Sequence, residues 1–160
     1  MPHYIEMDTS NYLELFDSYI DTTSTELFIA ESLYIHDTFE YNHFNELLEE
    51  SANLLKSKGY RFDPHTHYIE LQRYNVSGRT KPHYDWHVDD NGPLKCKVVS
   101  IIYYLRKDDT IKGGDLAFFR KKFKTHSNLA ITFKGNKYHR ATDMNGYGIR
   151  DSIVVMFKRF

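Results

Sequence analysis

The chain has 160 residues, of which 41% are hydrophobic and 27% charged, and its 21 basic and 22 acidic residues leave a formal net charge of -1. A chain of this length predicts a single domain over residues 1–160 with a substantial core. The near-zero net charge disfavours nucleic acid and anionic membranes as partners. No apolar run is long enough to cross a bilayer, and the first residues lack a signal-peptide pattern. Cys96 is the one cysteine, so no internal disulfide is expected, and an intracellular, cytoplasmic location is favoured.

The first part of the chain, residues 1–60, is predicted to be a helical support. Residues 8–10 supply N-cap side chains before an apolar cluster, which predicts a short helix. A longer helix is predicted over residues 44–55, where apolar side chains recur on one stripe. Gly59 follows its last turn, where a left-handed glycine is favoured. Residues 26–36 fit a strand or a helix equally well.

The second part, residues 61–160, is predicted to be a β core. It consists of short runs rich in β-branched and aromatic residues, separated by Gly, Asn and Asp clusters. Such spacing is typical of a β-sandwich, barrel or jelly roll, with the preceding helices packed against it. The candidate strands are residues 67–74, 82–87, 97–105, 115–119, 128–133, 138–141 and 151–157.

Two His-x-Asp pairs are the most informative feature of the chain. They are His83/Asp85 and His87/Asp89. Because residues two apart on a strand face the same side, all four side chains can point toward one pocket. A further histidine, His139, comes late in the chain. Two histidines and one carboxylate form the facial triad of non-haem Fe(II) oxygenases, which leaves positions open for a co-substrate and oxygen.

A candidate anchor for that co-substrate follows His139. Arg150 and Ser152 are two residues apart, so on a strand they face the same way. A guanidinium binds a carboxylate through two parallel hydrogen bonds, and a hydroxyl can add another. This pair suits the distal carboxylate of 2-oxoglutarate, whose keto-acid end would chelate the iron.

The ordered set of motifs resembles the 2-oxoglutarate- and Fe(II)-dependent dioxygenases, and among them the oxygen-sensing prolyl hydroxylases. The matching segments are residues 87–91, 101–108, 113–116, 138–140 and 150–152. The resemblance implies a double-stranded β-helix, or jelly roll, core buttressed by helices. It also implies an enzyme that uses Fe(II), 2-oxoglutarate and O2, with ascorbate as reductant. Its expected substrate is a prolyl residue in a peptide or protein, which is hydroxylated with release of succinate and CO2.

The resemblance also assigns roles to individual residues. It makes His87, Asp89 and His139 the iron ligands. The residues that it places against 2-oxoglutarate are Arg150, Ser152, Tyr104 and Tyr74.

The pair His83/Asp85 is the alternative to His87/Asp89. Counted from Tyr74, His83 has the more usual family spacing, and its surroundings resemble the collagen-type prolyl hydroxylases. The turn-forming residues after Asp89 favour the later pair, because they place His87 at a strand end and Asp89 on the turn, as a facial triad needs.

Two other functions stay open. One is hydroxylation of a different side chain, a small molecule or a nucleobase. The other is a non-catalytic module that uses the cleft for binding. The basic run at residues 120–126 fits a solvated hairpin tip, and it also fits a grip on an acidic peptide or a phosphate backbone.

Overall fold

The computed structural model describes residues 2–20, 30–35, 43–80, 97–118, 120–134 and 139–160. The N-terminal part contains strand β1 (His3–Glu6), a 3-10 turn (Ser10–Tyr12), helix α1 (Leu13–Tyr19), strand β2 (Ala30–Ile35) and helix α2 (Asn45–Ser57). The remaining strands are β3 (Phe62–Thr80), β4 (Val98–Lys107), β5 (Lys112–Gly113), β6 (Leu116–Phe118), β7 (Lys122–Phe123), β8 (Leu129–Lys134), β9 (His139–Ala141) and β10 (Met144–Arg159).

The described strands form two antiparallel sheets. The major sheet has the order β1-β8-β4-β10-β3-β2, with β5 paired to β10, and the minor sheet has the order β7-β6-β9. Strand β10 lies between β4 and β3 and pairs with both over most of its length. Strands β7, β8, β9 and β10 alternate between the two sheets, as in a jelly roll, and the predicted mainly β fold class is confirmed.

The major sheet separates two buried layers, and β10 contributes to both. Alternate residues of a strand point to opposite faces. Ile153, Val155 and Phe157 belong to the outer layer, where α1 and α2 pack on the sheet. Val154 and Met156 belong to the inner layer, between the two sheets. Both faces of this strand are therefore inside the protein, which explains its near-continuous hydrophobic run.

Helix α2 matches the predicted amphipathic helix. Its buried face includes Leu47 and Leu55, which contact the outer layer. Gly59 has φ 84°, and its N–H donates to the carbonyl of Lys56, so the helix ends on the expected left-handed glycine. No helix in the described segments is long and apolar enough to span a membrane.

The N-terminal part is more than a helical support, because two of its segments extend the major sheet. β1 pairs with β8, and β2 pairs with β3. β2 resolves the ambiguity of residues 30–35 in favour of a strand. The sequence pattern missed β1, β5 and β7. β5 and β7 have two residues each, too few to show a period, and β1 depends on pairing with the distant β8. The candidate strand at residues 82–87 lies outside the described residues.

Candidate active site between the two sheets

Arg150 is the largest buried side chain of the inner layer. It is fully buried, and its Nη1 donates to the carbonyl of Gly114 at 2.9 Å. Its Cζ lies 4.8 Å from the ring centroid of Tyr74 and 5.6 Å from that of Tyr104. A buried guanidinium against two aromatic faces is held by cation–π attraction as well as by the carbonyl. The structure thus brings together three of the residues predicted to bind 2-oxoglutarate.

Strand register explains why these residues meet. Arg150 is the direct partner of Tyr74 on β3, and Ser152 is the partner of Tyr104 on β4. Direct partners on antiparallel strands share a face, so all four side chains point into the inner layer. A register shift between Asp151 and Ser152 keeps Tyr104 in phase with them.

Gly114 approaches the guanidinium so closely that a side chain does not fit there. Its φ is 70°, and a Cβ on it would lie 2.9 Å from Met144 and 3.1 Å from Nη1 of Arg150. The hydroxyl of Thr125 also donates to its carbonyl, at 2.7 Å. The Gly-Gly pair noted in the sequence therefore serves to bring a backbone carbonyl against Arg150.

Lys107 is a neighbour of this cluster that the sequence did not single out. It is the register partner of Arg150 on β4. Its Nζ donates to the carbonyl of Gly113 at 2.5 Å and to that of Thr125 at 2.9 Å. Burial, opposed by Asp115 and reinforced by Arg150, lowers the pKa of the Lys107 amine. Lys107 ties the end of β4 to the glycine turn.

His139 lies at the other end of the inner layer, on the minor sheet. It is 2% exposed, with its ring centroid 4.8 Å from that of Phe133 and 5.8 Å from that of Phe118. Phe118 is its register partner on β6. Phe118 follows Gly114 by four positions, a span of at most about 13 Å at about 3.3 Å per residue. The imidazole and the guanidinium thus lie toward opposite ends of the inner layer.

A string of polar side chains continues along β3 below the guanidinium. The Ser152 hydroxyl donates to Oε1 of Gln72 at 3.2 Å, and Nε2 of Gln72 donates to Oε1 of Glu70 at 3.1 Å. All three side chains are buried. The Ser152 proton is therefore directed toward Gln72, which sequence reasoning did not include in the site.

The opposite face of the same strands carries a charge network. Nε and Nη2 of Arg73 donate to the two carboxylate oxygens of Asp151, both at 2.8 Å. Nη1 of Arg106 reaches Asp151 at 3.0 Å and Asp17 of α1 at 2.7 Å. The hydrogen bonds with Asp151 raise the pKa of Arg73, and those from Arg106 lower the pKa of Asp17. This network joins α1 to the sheet directly behind Arg150 and Tyr74.

The other predicted iron ligands, His87 and Asp89, lie outside the described residues, as do the alternative pair His83 and Asp85. Within the part of the chain that the structure describes, no three His, Cys, Asp or Glu side chains come together as a metal site. His139 is the one predicted iron ligand that can be located.

Two stacked antiparallel sheets with a buried imidazole and a buried guanidinium between them define a jelly-roll protein. The sequence pattern of the 2OG-Fe(II) oxygenase superfamily matches residues 69–158, more than half of the chain. The chain belongs to this superfamily, whose members are dioxygenases that use Fe(II), 2-oxoglutarate and O2. The predicted family resemblance is confirmed. No curated protein is similar enough in sequence to count as a match.

Solved structures share the fold at low sequence identity. A viral collagen prolyl hydroxylase from Paramecium Bursaria Chlorella virus-1 superposes with a TM-score of 0.66 at 15% identity, covering 99% of this chain and 90% of the other. A Trichoplax adhaerens prolyl hydroxylase, in complex with a hypoxia inducible factor peptide fragment, gives 0.60 at 16% identity over 98% and 83%. HygX from Streptomyces hygroscopicus, with nickel and 2-oxoglutarate bound, gives 0.63 at 12% identity over 99% and 82%.

Proposed function

We propose that this dioxygenase hydroxylates a prolyl residue in a peptide or protein. The observation that carries the proposal is the placement of a buried guanidinium, Arg150, and a buried imidazole, His139, toward opposite ends of the inner layer. Two structures of similar fold are prolyl hydroxylases, and one of those holds a peptide. The likeness in fold supports a peptide substrate, and we propose that the hydroxylated residue is a proline.

The residues fit the groups that the superfamily uses. Neutral imidazole is a ligand for Fe(II), and a guanidinium is the preferred partner of a carboxylate. In the proposal, His139 binds Fe(II) together with His87 and Asp89. When bound, Fe(II) and 2-oxoglutarate supply the activation of oxygen that hydroxylation requires. Turnover is expected to depend on ascorbate as a reductant, and an intracellular, cytoplasmic setting stays a prediction.

Arg150 is proposed to bind the distal carboxylate of 2-oxoglutarate through its guanidinium fork. The rings of Tyr74 and Tyr104 hold that fork in place, and Tyr104 presents its hydroxyl on the same face. Ser152 sits next to this carboxylate pocket and fixes Gln72 beneath it. Burial of the whole set excludes water, which strengthens each charged hydrogen bond.

The experiment that tests the proposal measures two products at once. The chain is incubated with Fe(II), ascorbate, 2-oxoglutarate and a pool of proline-containing peptides. We expect succinate release together with a mass increase of one oxygen atom on a prolyl residue. An oxygen added to another residue type would contradict the prolyl assignment, and an absence of both 2-oxoglutarate binding and succinate would contradict the enzyme.

Variants of the two His-x-Asp pairs test which pair binds the iron. We expect Asp89→Ala to abolish succinate release, because a facial triad needs its carboxylate. Asp85→Ala is the matched control and should retain activity. Loss of activity in Asp85→Ala alone would assign the metal to His83 and Asp85 instead.

A further inference from the structure

Exposed cations gather at the end of the barrel where His139 lies. Lys134 ends β8, shortly before His139 begins β9. Val99 pairs with Lys134 in the sheet, and the carbonyl of Lys97 accepts the N–H of Arg159 at 2.9 Å. The end of β8, the start of β4 and the end of β10 therefore lie side by side. We name the whole set the basic rim: Lys58, Arg61, Lys97, Lys121, Lys134 and Arg159.

Three members of the basic rim line one groove. Arg61, Lys134 and Arg159 surround a groove of about 330 Å³, together with the rings of Tyr60 and Phe160. Val99 of the outer layer also lines the groove, which therefore lies at the end of the major sheet on the side of α2. No carboxylate side chain is among its described lining residues. In the described segments, no member of the basic rim forms an ion pair with Asp or Glu within 4.0 Å. The groove thus concentrates positive charge, although the chain as a whole has a net charge of -1.

Lys121 connects the basic rim to the candidate active site. Its carbonyl accepts the N–H of Phe118 at 2.7 Å, and Phe118 is the register partner of His139. Two strand spacings therefore separate the backbones of Lys121 and His139, which is about 10 Å. Nζ of Lys121 lies 4.9 Å from the ring centroid of Phe123, which stacks on Tyr4 of β1. The neighbouring His3 packs on Tyr60, which follows α2, so β1 continues the rim from α2 to the minor sheet.

We propose that the basic rim binds an acidic segment of the peptide or protein substrate whose target residue lies near His139. An extended peptide advances about 3.3 Å per residue, so a carboxylate about three residues from the target would reach Lys121. Ammonium and guanidinium groups both pair with carboxylates, and several of them along one segment set its direction. That the bound segment belongs to a substrate rests on the proposed function. The binding of an acidic peptide to the basic rim is independent of it.

An acidic peptide fits better than a nucleic acid. The net charge of -1 gives no long-range attraction for a polyphosphate, whose binding depends on a strong overall field. The rim offers a short arc of charge at one end of the barrel, which matches a few carboxylates near one target residue. The basic run noted in the sequence contributes Lys121 to this arc, so the run acquires a role as part of the site entrance.

The test compares two labelled peptides by fluorescence anisotropy. One has a central proline flanked by glutamates, and the other has glutamines in their place. We expect the glutamate peptide to bind about tenfold more tightly at low salt, and the difference to shrink as salt rises. The variant Lys121→Glu/Lys134→Glu should bind both peptides equally.

A matched control reverses two charges at the other end of the barrel. Lys112→Glu/Lys124→Glu also changes two exposed lysines, and β5 places Lys112 beside the Arg150 end. We expect it to keep the preference of the unmodified chain within about twofold, because charges more than a Debye length away are screened. Equal losses in both variants would overturn the basic rim, since net charge alone would then explain the binding.

Further outcomes separate the rim from the proposed function. Equal affinity of the unmodified chain for both peptides would overturn the rim. Tighter binding of a single-stranded oligonucleotide of equal charge would overturn the peptide in favour of nucleic acid. Preference for the glutamate peptide without any succinate release would support the rim and contradict the hydroxylase.

Discussion

The two faces of β10 use buried arginines in different ways. On the outer face, Arg73 has both donor arms on the carboxylate of Asp151, and Arg106 completes the network with Asp17. On the inner face, Arg150 donates to a backbone carbonyl and lies against two aromatic rings. The outer arginine is matched to a carboxylate of the chain itself. We infer that the inner one is matched to a carboxylate supplied by the co-substrate.

The outer face of β10 is therefore expected to contribute mainly to stability, and the inner face mainly to binding. The outer network joins α1 to the sheet, so its loss should be felt in unfolding. The inner cluster is proposed to bind the co-substrate, so its loss should be measurable as a loss of affinity. Arg150 and Asp151 are adjacent in sequence, which makes them a direct pair for testing this division.

Breaking the outer face should give the largest effect on stability. Asp151→Ala leaves two arginines without their buried carboxylate, and we expect a loss of about 3–5 kcal/mol in the free energy of unfolding. Chemical denaturation measures this loss. The fraction that remains folded should bind 2-oxoglutarate within about threefold of the unmodified chain, as expected for independent faces. If Asp151→Ala lost affinity for 2-oxoglutarate but not stability, the assignment of the outer face to stability would be wrong.

Breaking the inner face should give the largest effect on binding. Arg150→Met removes two charged hydrogen bonds to the co-substrate, so we expect 2-oxoglutarate to bind on the order of 100-fold more weakly. Isothermal titration calorimetry under anaerobic conditions measures the affinity. Arg150→Lys is the companion variant, and it should recover only part of the affinity because an ammonium lacks the planar fork. Unchanged affinity in Arg150→Met would remove Arg150 from the proposed site.

A glycine substitution sharpens the comparison within the inner face. Gly114→Ala should weaken 2-oxoglutarate binding about tenfold, because its Cβ would press on Met144 and on the guanidinium. Gly78→Ala is the control, since Gly78 also has a positive φ, 111°, but open space around the added Cβ. Both variants should lose about 1 kcal/mol of stability from backbone strain, and Gly114→Ala should lose more because its Cβ also crowds Met144. Similar losses of affinity in both would show that the contact with Arg150 is unimportant.

The smallest expected effect concerns pH and the outer network. The hydrogen bonds from Arg106 lower the folded-state pKa of Asp17 below its ordinary value of 3.8. A depressed pKa means that the ionised pair stabilises the fold above pH 3.8, and that this stabilisation is lost as the pH falls through the lower, folded value. Because Asp17 is partly exposed, we expect its contribution to be about 0.5 kcal/mol.

Urea denaturation at several acidic pH values would detect this contribution. The unmodified chain should lose slightly more stability on acidification than Asp17→Asn, and the difference should shrink at high salt. A steeper acid dependence in Asp17→Asn would contradict the ion pair.

Elements of the fold could be predicted where the chain has enough residues to show a helical or strand periodicity of apolar side chains. The apolar run at Ile153–Phe157 and the stripe of α2 predicted a strand and a helix, and the order of motifs predicted the jelly roll. The strands β5 and β7 escaped prediction because two residues are too few to show a period. The Arg73–Asp151 network escaped because 78 positions separate its members.

The site was partly predictable. Arg150 was named from its strand spacing to Ser152 and from the family resemblance, and Tyr74 and Tyr104 were named from the resemblance. Strand register brings the three together. Lys107 and Gln72 were not named, because a lone Lys or Gln on a strand carries no signal of its partner. Their roles depend on which turn or strand lies opposite, and that information is in the three-dimensional arrangement alone.

The most direct test of the central claim is an anaerobic titration of 2-oxoglutarate with and without Fe(II), on the unmodified chain and on His139→Ala. If His139 and Arg150 hold the two ends of one site, Fe(II) should raise the affinity of the unmodified chain for 2-oxoglutarate by about tenfold or more, because chelation adds a second anchor. His139→Ala should lose that increase and keep the weaker, metal-independent binding. An increase of equal size in His139→Ala would contradict the account.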